Sequence, residues 1–321
     1  MPGSATAKAR FHDEGGTMGA LRRFWQRSYA PDWLGVLLLA LQNLAITFFE
    51  PFHRMFSLDN RDIQYPHAEI ERVPVPMLLT YSIGLPLLTI TLYTLLTPSK
   101  HLRTPSRFHL LHASLLGLTT SLMLTTFTTD LIKNGVGRPR PDLIARCLPR
   151  AGTPEHELVT WEVCTQTDHH TLHDGFRSFP SGHSSFSWGG LGYLSLFLAG
   201  QLGAWRRGAA MVKVVVVGLP AVGAVLVTVS RTEDYRHDVF DVCTGSLIGM
   251  VMGYYSYRRY FPALTSKHCD VPYKRGEDDE HGGKGGSRGD FEMLPRRVDS
   301  PDLEMGEPRP RTDNDEWGLR G

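Results

Sequence analysis

The sequence predicts an all-α, polytopic membrane protein with six transmembrane helices. Three observations lead there. Apolar residues are concentrated between Trp33 and Tyr257, both ends of the 321-residue chain are polar, and the apolar part divides into six long runs nearly free of charge. The mean hydropathy of −0.19 resembles that of a soluble chain, but it averages an apolar middle with polar ends, so the distribution decides the class. Crossing a bilayer core takes about 20 residues. A strand buried in a soluble α/β enzyme takes only about 4 to 8, and these runs are two to three times that long.

The elements follow in order. Residues 1–32 are polar and show no short apolar core of a cleavable signal, so they read as a cytoplasmic segment before an uncleaved anchor. The six expected spans are 33–49, 75–97, 108–129, 185–202, 211–230 and 239–257, inside a membrane domain covering 33–262. Lys213 lies close enough to one end of the fifth span to snorkel. Asp241, inside the sixth, cannot be dismissed that way, because intramembrane acids are functional by default. Residues 263–321, with the stretch GEDDEHGGKGGSRGD, are too polar to bury a core and read as a disordered tail.

Orientation follows from basic residues in short loops. Arg22, Arg23 and Arg27 precede the first span; Lys100, Arg103 and Arg107 separate the second and third. Arg206 and Arg207 separate the fourth and fifth, and Arg258 and Arg259 follow the sixth. Both termini are therefore expected in the cytoplasm. The loop after the first span is acidic (Glu50, Asp59, Asp62, Glu69, Glu71), as a lumenal or extracellular loop can be. The loop 133–184 is rich in arginine against this bias and needs a local reason. The net charge of +1 argues against nucleic acid as a partner.

On this topology three polar stretches meet at the non-cytoplasmic face: Lys133 with Arg138 and Arg140; Ser181, Gly182 and His183; and Arg231, His237 and Asp241. Their chemistry suits phosphoryl transfer, in which charge spreads over equatorial oxygens and catalysis is mainly positioning and electrostatic stabilisation. Lys133, Arg140 and Arg231 supply cations, with arginine adding bidentate donors. Ser181 offers a hydroxyl, Gly182 an N–H unobstructed by a Cβ, and a helix starting nearby adds its dipole. This reads as the phosphate-binding set. His237 and Asp241 stand at i and i+4, so on a helix the carboxylate faces the imidazole and can fix its tautomer. That makes His237 the nucleophile, Asp241 its orienter and His183 the general acid.

The pattern Lys133, six residues, Arg140-Pro141; then Pro180-Ser181-Gly182-His183; then Ser230-Arg231, five residues, His237, three residues, Asp241 is similar to the three-part signature of the type 2 phosphatidic acid phosphatase superfamily. The contexts RPRPDLIARC, DGFRSFPSGHSSFS and SRTEDYRHDVFD resemble its fungal lipid phosphate phosphatases, across about residues 30–260. The resemblance implies a six-helix membrane enzyme that hydrolyses phosphatidic acid, diacylglycerol pyrophosphate or related lipid phosphates through a phosphohistidine, without metal or cofactor. It implies the same role for His237. A lipid phosphotransferase would share these residues; the complete set of basic residues and both histidines argues against a third function, an idle lipid-binding signalling protein.

The remaining features have plainer readings. Gly245, Gly249 and Gly253 recur every four residues, which suits close helix packing. His169, His170 and His173 read as polar residues of a mobile loop, since no cysteine or carboxylate completes a metal-ligand spacing. Cys147 and Cys164 share the non-cytoplasmic loop, where an oxidising lumen would permit a bridge; the spacing leaves bridged and free thiols open. Cys243 reads as a packing residue, and Cys269 as an idle or palmitoylated thiol.

Overall fold

The computed structural model describes residues 28–97 and 106–273. Residues 1–27 of the expected N-terminal segment, Lys100, Arg103 and the tail beyond Tyr273 lie outside these, while the last residues of that segment, from Ala30, already belong to the first helix. The described residues form helices without strands; only two isolated bridges, Phe56–Val159 and Pro149–Cys164, join extended pieces. We label the helices α1 (Ala30–Ile46), α2 (Val75–Leu96), α3 (Arg107–Val136), α4 (Leu143–Cys147), α5 (His169–Asp174), α6 (residues 182–202), α7 (Met211–Glu233) and α8 (Val239–Tyr260).

Each of the six apolar runs lies in a helix. Three of these helices, α2, α3 and α7, are long and apolar enough to cross a membrane. α1 is a shorter apolar helix of 17 residues. α6 starts on a serine-rich turn and contains a wide turn at Trp188–Gly192. α8 is diluted by Asp241, three glycines and several tyrosines. The outer surfaces are apolar where these helices leave the bundle: Leu37, Leu41 and Leu44 on α1 and Val212, Val215, Leu219 and Leu226 on α7 are exposed. So continuous an apolar surface marks contact with lipid rather than water.

Helix ends are set by local chemistry. Ser106 caps α3 by accepting from the His109 N–H. α3 stops at Gly137, which has φ of +58°, and a Cβ there would lie 1.7 Å from the Phe52 carbonyl oxygen. A capping box starts α8, in which the Asp238 N–H donates to Asp241 Oδ2 at 3.0 Å.

Two apolar clusters divide the molecule. One joins Ile90, Leu110, Leu116, Tyr193, Phe197, Tyr257 and Phe261, from one end of α2, α3, α6 and α8. The other joins Phe56, Ile63, Leu143, Leu172 and Phe176, which fasten the loops at the opposite end. Between them α8 lies against the start of α6. A Cβ on Gly245 would stand 2.4 Å from the Ser181 carbonyl oxygen, and one on Gly249 2.2 Å from that of Ser185. The close-packing reading therefore holds for these two, whereas a Cβ on Gly253 would meet its nearest atoms at 3.7 Å, an ordinary contact.

Several expectations are corrected. Residues 263–273, assigned by composition to a disordered tail, are packed: the Cys269 carbonyl accepts from the Tyr257 hydroxyl at 3.1 Å, and Arg206 pairs with Asp270 at 2.8 Å. Tyrosines near the end of α8 give this short segment an anchor that composition does not reveal. Cys269 is buried with its thiol donating to the Gly200 carbonyl, while Cys243 is exposed rather than packed. The histidines at 169–173 form α5, capped by Asp168, instead of a mobile loop.

Cys147 and Cys164 are bridged, closing the loop that follows α4. Their separation is 17 residues, and closing a loop of about that length stabilises by roughly 3 kcal/mol in the chain-entropy account. Reduction, or Cys147→Ser with Cys164→Ser, should lower stability by about that amount, read from denaturation midpoints with and without reductant.

Candidate active site

Four helices bring the signature residues together. Lys133 comes from the last turn of α3, Ser181 to His183 from the start of α6, and Arg231 from the last turn of α7, with His237 and Asp241 flanking the start of α8. Arg140 lies in the turn between α3 and α4. Lys133, Arg140, Arg231, His237, Ser181 and Asp241 are all buried. Buried charges carry a large desolvation cost unless compensated, so each should have a partner or await one.

The partners are specific. Arg140 donates to Asp174 Oδ1 at 2.8 Å, and Arg146 donates to the other oxygen at 3.1 Å. Burial alone would raise the Asp174 pKa, but Arg140, Arg146, Lys133 and Arg236 hold its carboxyl well below the usual range. Arg231 donates to Glu71 Oε2 at 3.0 Å, and Arg236 meets the other oxygen of Glu71 at 3.2 Å. Glu71 also stands 3.9 Å from His183 Nε2, which donates to the Val73 carbonyl at 3.0 Å. Lys133 differs: its ammonium makes no hydrogen bond or ion pair with any described residue. Its ammonium lies 3.2 Å from where a Cβ of residue 182 would be, so the glycine leaves the ammonium clear.

His237 stands among these cations. Burial, then Arg140, Lys133, Arg231 and His183, push its pKa well below the ordinary value of 6.5. The His237 Nδ1 has no hydrogen-bond partner among the described residues. Asp241 Oδ2 lies 3.8 Å from that nitrogen, on the side expected from the i, i+4 spacing but beyond hydrogen-bond length. Asp241 is instead engaged by Arg138 at 2.7 Å, the Ser178 hydroxyl at 2.5 Å and the Asp238 N–H at 3.0 Å, and its own carbonyl accepts from the Ser181 N–H at 2.9 Å. It thus ties the Ser181 turn to the start of α8. Arg138, which the sequence left without a role, holds both Asp241 and Asp238.

A cavity of about 540 Å³ opens onto His237, lined among others by Arg54, Tyr65, Arg138, Tyr235 and Asp238. Tyr65 and Tyr235 stack with centroids 4.8 Å apart, closing one wall.

This constellation coincides with the part of the chain that matches a family description. Residues 114–264 match the PAP2 superfamily, and the relatives extend the likeness over most of the chain. Diacylglycerol pyrophosphate phosphatase 1 of Saccharomyces cerevisiae is 41% identical over 76% of this chain and 82% of its own length. The chain belongs to the PAP2 superfamily. The probable diacylglycerol pyrophosphate phosphatase 1 of Schizosaccharomyces pombe is 41% identical over 72% of this PAP2 chain and 80% of its own. Lipid phosphate phosphatase 2 of Arabidopsis thaliana is 35% identical over 74% and 78%. No solved structure matches.

Sequence reasoning missed Glu71, Asp174, Ser178 and Arg236. The acidic run before α2 was noted as a topology signal, and Arg236 adjoins His237. Nothing in spacing says which loop acid meets which buried arginine.

Proposed function

We propose that this PAP2 protein is an integral-membrane lipid phosphate phosphohydrolase that works through a phosphohistidine on His237 without metal. The observation that carries the reading is the buried His237 set among the buried cations Lys133, Arg140 and Arg231, with the Lys133 ammonium unpaired among the described residues. Phosphatidic acid, diacylglycerol pyrophosphate and related lipid phosphates are the substrate class, supported by the names of relatives at 35–41% identity.

In this reading the phosphoryl group binds between Lys133, Arg140, Arg231, the Ser181 hydroxyl and the Gly182 N–H, displacing Glu71 from Arg231. Nε2 of His237 attacks phosphorus while the bond to the leaving oxygen breaks, and His183 delivers the proton to that oxygen. Charge forming at Nδ1 draws Asp241 in from 3.8 Å, a tightening common between resting and reacting sites. Water, deprotonated by His183, then attacks the phosphohistidine, releasing phosphate and returning His237 to the neutral imidazole and His183 to the protonated form that began the cycle. The cations occupy the role that Mg²⁺ plays in other phosphoryl-transfer sites.

The test is phosphate release from phosphatidic acid and diacylglycerol pyrophosphate by the purified protein in EDTA, with and without a lipid alcohol. Release in EDTA supports the reading. A strict need for added divalent metal contradicts it, and transfer to the alcohol in preference to water makes the protein a phosphotransferase.

The membrane arrangement belongs to the same proposal: six spans, both termini cytoplasmic, and the site on the lumenal or extracellular face. A lipid then enters laterally with its phosphate at the interface and its chains in the bilayer. In sealed, cytoplasm-side-out vesicles, protease should remove the tail without loss of activity, and an impermeant phosphate analogue should inhibit only after the vesicles are opened. Inhibition of the sealed vesicles would invert the topology.

A further inference from the structure

Outside the catalytic constellation, the structure gathers imidazoles that the phosphoryl chemistry does not use. His169 and His173 stand at i and i+4 on α5, one face of one helix, and their Nε2 atoms are 2.7 Å apart. The spacing is the one by which two histidines of a helix grip zinc. The carboxylate missing from the local sequence comes from the segment that follows α1: Glu50 has Oε1 3.9 Å from His169 Nε2. One ligand atom from each of Glu50, His169 and His173 falls within 4.8 Å of the others. His53, three residues beyond Glu50, contacts Nδ1 of His173 through its Nε2. His173 is buried, whereas the side chains of His169 and Glu50 are each 70% exposed, so the cluster is open to solvent on one side.

From this arrangement we infer a divalent transition-metal site, best suited to Zn²⁺, with Glu50, His169 and His173 as ligands and His53 as the residue that orients His173. Two imidazoles and a carboxylate suit a borderline cation better than Mg²⁺ or Ca²⁺, which prefer all-oxygen shells. A histidine bound through Nε2 usually donates its other ring N–H to a neighbour, which fixes the tautomer; His53 is placed to accept from Nδ1 of His173. With Zn–N bonds of about 2.0–2.1 Å in tetrahedral geometry, the two ligating nitrogens stand about 3.3 Å apart. The exposed His169 ring therefore turns outward by well under an ångström to admit the ion, and water fills the fourth position.

The ion would fasten the loop after α1 to α5. Asp174 is the next residue after His173 and holds Arg140 at 2.8 Å, so the metal acts on the scaffold of the phosphate-binding site and not on the reacting atoms. Catalysis without metal is compatible with this site, and the two claims fail separately.

The full-length protein, stripped with EDTA in detergent, is dialysed against Zn²⁺ and its metal content measured; Co²⁺ then replaces Zn²⁺ for visible absorption. Wild type should retain one ion per chain and gain thermal stability on loading. His169→Ala, at an exposed position that leaves the fold intact, should lose at least about tenfold in affinity together with the tetrahedral Co²⁺ bands. Glu50→Gln should weaken binding as well, and His53→Ala should do so by about 10- to 100-fold, as loss of an orienting partner does. Equal Zn²⁺ content in wild type and His169→Ala would overturn the site, as would a wild type that retains none.

Discussion

His237→Ala is expected to lower turnover by roughly three orders of magnitude or more and to abolish any acid-labile phosphoenzyme, because in the proposed mechanism the substitution removes the attacking atom. The loss should occur without unfolding. The imidazole makes no hydrogen bond with a described residue, so its removal orphans no partner. Phosphate release and circular dichroism of the same preparation check this: an inactive, folded variant agrees, and a variant with near-normal turnover assigns the nucleophile elsewhere. His183→Ala should behave differently, with the smallest loss for a substrate whose leaving group needs no proton.

Asp241→Ala should lose both activity and stability. This side chain is fully buried and accepts from Arg138, Ser178 and the Asp238 N–H. Deleting it leaves the buried Ser178 hydroxyl and the first N–H of the α8 capping box without their acceptor, and Arg138 with Asp238 alone. A loss of about 3 kcal/mol is the usual scale for removing one member of a buried charged network. Asp241→Asn keeps the shape and removes the charge, so it separates the two roles: stability should largely return, while turnover stays about a hundredfold down if the carboxylate stabilises the charged imidazole. Wild-type turnover in Asp241→Asn would confine the residue to holding the fold.

Much of the fold was legible because span length and charge distribution are strong signals. All six apolar runs form helices, and the turn chemistry at Ser106, Gly137 and Asp238 marks their ends. Span-like character was less legible: α8 has the length, but Asp241, which meets Arg138 and Ser178, and the glycines that meet Ser181 and Ser185 dilute its apolarity. The signature residues could be read from spacing, because helices bring their ends to one plane. Their neutralising partners could not. Glu71 and Asp174 reach Arg231 and Arg140 through loop paths with no periodicity, and the same is true of Glu50 at His169. The i, i+4 rule placed Asp241 on the correct side of His237, yet it could not show that Arg138 and Ser178 hold that carboxylate at 3.8 Å.

The central claim is that phosphate is carried by one particular imidazole. Rapid quenching of the enzyme with a lipid substrate labelled in the phosphoryl group, followed by digestion and peptide mapping at alkaline pH, tests it most directly. The account predicts label on His237, absent from His237→Ala and accumulating when the water step is slowed in His183→Ala with a good leaving group. Label on His183, or substrate turnover with no phosphoenzyme at any time point, would contradict it.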